Sequence, residues 1–126
     1  DYNVFELTKA IAYRQIDKAN YIAKRMGENI KDHPLVVVLP VITTFFAKVM
    51  AIHFEKTINR QDISRKLNVN MYFLGDYMEA YNHYPASKIF SNITLLREYD
   101  MRTKGSLGSG ASHPELLREL VYLLMH

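Results

Sequence analysis

Apolar residues recur along this chain at intervals of three and four, the spacing of a helix with one buried face. Val4, Leu7 and Ile11 form the first such stripe, and Asn3 with Glu6 has capping-box spacing in front of it. Asp17 is the expected N-cap of a second stripe, Ala19, Ile22, Ala23 and Met26. Gly27 follows, where a helix C-terminus wants a residue able to take positive φ. Together they predict an antiparallel helical hairpin.

Residues 35–54 carry conflicting signals. Val36, Val37, Val38, Val41, Ile42, Thr43 and Thr44 are β-branched and favour a strand. Some twenty residues without a turn signal are too long for one, however, and Pro40 would leave a central strand short of a donor. Phe46, Val49, Met50 and His53 then step at three and four. The prediction is one long, buried helix that starts after Asp32-His33-Pro34, has Pro40 as the place for a bend, and is the hub that other helices surround. Residues 35–52 also reach the lower edge of a membrane-spanning length. Pro40, Thr43, Thr44 and Lys48 interrupt them, and no aromatic belt or basic flank frames them, so the expectation is a soluble protein with no membrane partner.

Asp62 is the expected cap of a short helix ending at Leu67, and Asn68-Val69-Asn70 reads as a tight turn. Asn70 then caps a helix with Phe73, Leu74, Tyr77, Met78 and Tyr81 on one side. Pro85 begins a long helix whose inner face is Ile89, Phe90, Ile93, Leu96 and Met101 or nearby residues, and which ends near Lys104. Residues 105–112, rich in Gly and Ser, predict a flexible connector. Ser112 and Glu115 make a full capping box, with Pro114 in the first turn, for a last helix using Leu116, Leu117, Leu120, Val121 and Leu124. The expected fold is all-α: a single domain over residues 1–126, a compact bundle of about six or seven helices around a long central apolar helix.

Composition narrows the function classes. The 126 residues, 48% hydrophobic with a net charge of +3, exclude intrinsic disorder. Without cysteine there is no disulfide framework, no thiolate nucleophile and no Cys-ligated zinc. A surplus of three cations is no nucleic-acid footprint by itself. The chain opens at Asp1, as a processed form or an excised domain would, and residues 1–14 have no signal-peptide core.

Candidate chemistry is sparse. Gly105, Gly108 and Gly110 lack the preceding strand and the Gly-Lys-Ser/Thr of a phosphate loop. Asp76, Glu79 and His83 share one helix face, but a carboxylate metal site needs matching ligands on facing helices, so a solvated face is the plainer account and a small helical metalloenzyme a distant third reading. His53 is expected to be a hydrogen-bonded core or subsurface histidine. No nucleophile elbow occurs, so neither a catalytic residue nor a cofactor is expected.

Residues 61–77 have the layout of a helix-turn-helix. Arg65 and Lys66 would touch phosphates there, and Arg102 and Lys104 form a second basic group. The second helix opens with Met71, Tyr72, Phe73, Gly75 and Asp76, which lack the bidentate donors of base readout. A structural hairpin is preferred, with DNA binding as the alternative. Nine Tyr and six Met suit an adaptable interface, and Tyr72, Tyr77, Tyr81 and Tyr84 are too broad a cluster for one core stripe, so part of it is a subunit-interface candidate.

Three segments in order carry a family resemblance over nearly the whole chain. They are Val4-Phe5-Glu6-Leu7 opening a helix, the run Asp62-Ile63-Ser64-Arg65-Lys66-Leu67-Asn68-Val69-Asn70 after the long apolar helix, and the tail. The tail is Leu95-Leu96-Arg97-Glu98-Tyr99-Asp100-Met101-Arg102-Thr103-Lys104-Gly105, a Gly/Ser loop, then Glu115-Leu116-Leu117-Arg118-Glu119-Leu120. The succession resembles the C-terminal region of the bacterial DNA polymerase III delta subunit, the clamp-loader subunit that opens the sliding clamp. The resemblance implies a cytoplasmic helical collar that packs against other clamp-loader subunits. It implies an AAA+-like module elsewhere, contact with DNA and sliding clamp only through the full complex, and no enzymatic activity in this segment.

Overall fold

The computed structural model describes residues 1–105 and 110–126. Among them are seven α-helices and no strand: α1 (Val4–Ala12), α2 (Ile16–Glu28), α3 (Leu35–His53), α4 (Arg60–Leu67), α5 (Leu74–His83), α6 (Ala86–Thr103) and α7 (His113–Met125). Single 3₁₀ turns, Ile30–Asp32 and Met71–Phe73, precede α3 and α5. The chain is the all-α bundle its patterning predicts. Part of the expected 105–112 connector, residues 106–109, lies outside the described residues.

Both expected capping boxes form. Asn3 Oδ1 accepts from the Phe5 and Glu6 N–H groups at 2.9 and 3.0 Å, while Glu6 accepts from the Asn3 N–H at 3.1 Å. Ser112 and Glu115 exchange the same pair of bonds ahead of α7, and the Ser112 hydroxyl, donating to Glu115 Oε1 at 2.8 Å, together with the Ser112 N–H holds the Glu115 carboxyl below its usual range. Other boundaries differ. α2 starts at Ile16, so Asp17 lies in its first turn, favourable to the helix dipole, and is not the cap. Gly27 does not end α2; it lies inside the last turn, where an added Cβ would stand 3.2 Å from the Pro114 Cβ. Its missing side chain thus serves the close approach of α2 and α7. Asn59, not Asp62, caps α4 by accepting from the Asp62 N–H at 3.0 Å. Asn70 caps the 3₁₀ turn ahead of α5, accepting from the Tyr72 N–H at 2.8 Å.

α3 resolves its conflict through burial. Its β-branched residues cost at most a few tenths of a kcal/mol each as helix formers, whereas burying a Leu, Ile or Phe contributes about 1.5–3 kcal/mol. Eight of its side chains, from Leu35 to Ile52, are buried. Thr43 returns its hydroxyl to the Leu39 carbonyl at 2.8 Å. Pro40 cannot donate to the Val36 carbonyl, and it sits on the exposed side, where water can take that acceptor.

α3 is the hub of the bundle, packed by four of the other six helices. α6, α5, α1 and α4 cover one side, while α2 and α7 pack on each other. The other side, Val36, Val37, Pro40 and Thr44, remains open, with the two valines more than half exposed. α3 is also the described helix whose length and composition suffice to cross a membrane, and 44% of that stretch is buried in the bundle.

The inner face of α6 is Ile89, Asn92, Leu96 and Tyr99. Phe90 and Met101, expected inside, are 69% and 41% exposed. Asn92 is fully buried because it caps: its Nδ2 donates to the Leu124 carbonyl at 3.0 Å. Lys88 Nζ donates to Leu123 O at 3.0 Å, and the Arg14 guanidinium reaches Met125 O at 3.1 and 3.3 Å. Three consecutive carbonyls at the end of α7 are thereby satisfied from α6 and from the α1–α2 turn. Burial, with Arg14 nearby, pushes the Lys88 ammonium below its usual range.

Tyr84 locks three elements together. It is 1% exposed, its hydroxyl donates to Ile11 O at 2.6 Å, its ring meets Phe46 edge-on at 5.4 Å, and its own carbonyl accepts from His53 Nε2 at 2.9 Å. His53 is the hydrogen-bonded subsurface histidine that its neighbours in sequence suggested. Tyr84→Phe removes this bond while the Ile11 carbonyl keeps the Arg14 N–H at 2.9 Å, and is expected to cost about 0.5–1.5 kcal/mol, read as a lowered thermal midpoint.

Tyr99 couples α6 to α7 through its hydroxyl on Glu119, with the Arg102 guanidinium 4.7 Å over its ring. Burial, with the bond to Glu119, pushes its phenol up to about 12. An unfolded tyrosine ionises near pH 10, so the native state is favoured in full below pH 10 and loses this contribution as pH rises from 10 to about 12. Alkaline melting temperatures should fall over that window, and Tyr99→Phe should make the fall shallower, with the buried Tyr84 sustaining the remainder.

Candidate functional site

A groove of about 1170 Å³ lies between α1, the middle of α3 and the Asn68–Tyr77 segment. Each wall follows from local sequence. The Asn3 cap fixes α1 so that Phe5, 70% exposed, stands on one lip. On α3, Pro40, Val41, Thr44 and Phe45 form the floor. Asn68 takes a left-handed conformation (φ 54°), suited to Asn, and reverses the chain after α4. Asn70 then fixes the 3₁₀ turn that raises Tyr72 and Phe73 as the far lip, their rings edge-to-face at 5.0 Å.

One end of the groove is polar. The Tyr13 hydroxyl donates to Asp76 Oδ1 at 3.1 Å, and Lys9 Nζ lies 5.9 Å over the Tyr13 ring. Burial, then the hydrogen bond and charge of Asp76 and the charge of Glu79, push the Tyr13 phenol up. The groove therefore combines an apolar floor, two aromatic lips and one carboxylate-rich end.

The four tyrosines proposed as an interface separate by position. Tyr72 is 85% exposed. Tyr77 is half-buried against Phe45 at 4.6 Å, and Tyr81 is half-buried against His53 at 4.5 Å. Tyr84 is interior, so its assignment to a subunit surface is corrected: burial and the Ile11 bond commit it to the core. Phe5 and Phe73, which sequence reasoning did not select, complete the exposed group. The signal for Phe5 was available, since it falls off the Val4–Leu7–Ile11 stripe.

The four basic residues are all engaged. Arg65 pairs with Asp62 at 2.8 Å, Lys66 with Glu55 at 2.7 Å and Lys104 with Asp100 at 2.9 Å. Arg102 stands 3.5 Å from Glu98 and 3.6 Å from Glu119. α4, the turn and α5 do form a helical hairpin, held by Ile63, Val69 and Leu74 against Ile52. Its leading residues line an apolar groove, and Arg65 and Lys66 each already have a carboxylate. The stripe Asp76, Glu79, His83 divides: Asp76 takes the Tyr13 bond, and Glu79 faces His83 at 3.3 Å. Among the described residues no three acidic or His side chains gather as a metal site would require.

Comparison with protein-family models, curated proteins and solved structures found no match to this chain.

Tyr72→Ser should change folding stability by less than about 0.5 kcal/mol, because the ring is exposed. Tyr77→Ala should cost about 1–3 kcal/mol through lost packing on Phe45. Chemical denaturation of the two variants checks the contrast.

Proposed function

We propose that this domain is a non-catalytic assembly module, and that its setting is the collar of a bacterial DNA polymerase III clamp loader, as the C-terminal region of the delta subunit. One observation carries the assembly reading: exposed Phe5, Tyr72 and Phe73 frame a groove floored by α3. Exposed aromatics gathered around a concave apolar surface are the usual anchors of a protein interface. The clamp-loader setting rests on the order of helices and on the segments 4–7, 62–70, 95–105 and 115–120.

In this reading the domain works by helix packing alone, in the cytoplasm and without a cofactor. The wider subunit supplies the AAA+-like module, and DNA and the sliding clamp are met through the assembled loader. The ion pairs of Arg65, Lys66, Arg102 and Lys104 favour this over direct DNA binding, since a phosphate would have to displace a carboxylate from each.

Mixed with the other loader subunits of the same source and passed over a sizing column, the chain should elute within their complex. Tyr72→Asp with Phe73→Ser should weaken that association at least tenfold while leaving the circular-dichroism melt nearly unchanged. Elution of the unaltered chain by itself would sink the clamp-loader setting.

A further inference from the structure

We propose that the groove receives an amphipathic α-helix of a partner protein, which lays apolar residues on Val41 and Phe45 between the aromatic lips and presents a Lys or Arg to Asp76. This rests on the assembly reading and adds the chemistry of the partner. Three features of the groove select that occupant.

The first is hydrogen bonding. The walls are mostly helices whose N–H and C=O groups are spent within the helices or on the Asn caps; the Val36 carbonyl freed by Pro40 and the short Asn68–Asn70 connection offer isolated groups and no ladder to an extended peptide. A helix arrives with its own backbone satisfied, and only its side chains need partners.

The second is length. α1 forms one whole wall, and its nine residues span about 13 Å. That accommodates two to three turns of a partner helix, with anchors at i, i+3 or i+4, and i+7.

The third is charge. Glu6 and Asp76 line the groove against a single lysine, Lys9, in a chain whose net charge is +3. Glu79 adds to the negative potential at Tyr13. Asp76 spends Oδ1 on Tyr13, and among the described residues its other oxygen has no hydrogen-bond partner. A partner cation at that end finds an acceptor already oriented by Tyr13.

A second copy of this chain fits less well. Outside the groove, the exposed large apolar side chains on α3 are the adjacent Val36 and Val37, which do not make the i, i+3 or i+4, i+7 stripe that the groove needs. α2 offers Tyr21 alone, α7 offers Tyr122 alone, and Phe90 and Met101 on α6 stand three turns apart.

The test is a phage-displayed library of 14-residue amphipathic helices, with charge randomised beside a fixed apolar stripe, selected on the full chain. Enriched peptides are expected to carry Lys or Arg at one end of the stripe. On an isotope-labelled protein they should shift amide resonances of Val41, Phe45, Tyr72, Phe73 and Asp76. Asp76→Asn keeps an acceptor for the Tyr13 hydroxyl, so the melt should hold while peptide affinity falls roughly threefold to tenfold.

No enrichment, winners without a cation, shifts that map elsewhere, or full affinity in Asp76→Asn would each overturn the proposal. Concentration-dependent shifts of the groove without peptide would also overturn it, in favour of a second copy. So would binding through Val36 and Val37 to vesicles of phosphatidylcholine with one-third phosphatidylglycerol. Peptide binding with failed loader assembly would leave the groove's chemistry standing and remove only the clamp-loader setting. Loader assembly without peptide selection would place that contact on another face.

Discussion

One-sided burial of α3 is the constraint on which the remaining architecture depends. A helix this rich in valine, isoleucine and threonine holds its shape because packing outweighs local preference. α6, α5 and α1 supply that packing along Leu35, Val38, Leu39, Ile42, Phe46 and Val49. The same helix is nearly as apolar on its uncovered side. Once one face is committed to the core, Val36, Val37, Pro40 and Thr44 face outward, and α1 and the Met71–Phe73 turn convert the part of that side from Pro40 to Phe45 into a groove. Fold and candidate function thus have a single physical origin: an apolar helix with more surface than this chain can cover.

Polar groups do the work of placement. Asn3, Asn59, Asn70 and Ser112 each satisfy N–H groups at the start of an element and thereby fix where its first turn points. At the opposite end, Lys88, Asn92 and Arg14 close the last turn of α7 from two other elements. Arg14 takes a left-handed conformation (φ 51°) at the α1–α2 turn that carries this contact. The groove is consequently built on helices anchored at their ends, and its aromatic lips stand on elements with fixed starts. Surface ion pairs matter less for stability than for potential. They give Arg65, Lys66, Arg102 and Lys104 carboxylate partners, while Asp76 keeps one end of the groove acidic.

The sequence by itself determined the helices. Periodicities of three and four, two capping boxes and the length of the 35–54 run were enough for an all-α bundle, because helical hydrogen bonding and capping are local. It also placed His53 below the surface, from the apolar residues beside it. What it could not assign were faces. Phe90 and Met101 look like core residues and Asn92 does not, yet the buried side of α6 runs through Asn92, because three carbonyls at the end of α7, some thirty residues away, needed donors. Tyr84 and Tyr72 are the same residue type twelve positions apart; Phe46 and the Ile11 carbonyl enclose one, and the other stands 85% exposed among the described residues. Gly27 resembled a helix end and proved to be a packing site for Pro114. Such outcomes depend on which elements meet, a long-range property that no window of sequence contains, and so tertiary packing alone decided that α3 would be open on one side and that a groove would form there.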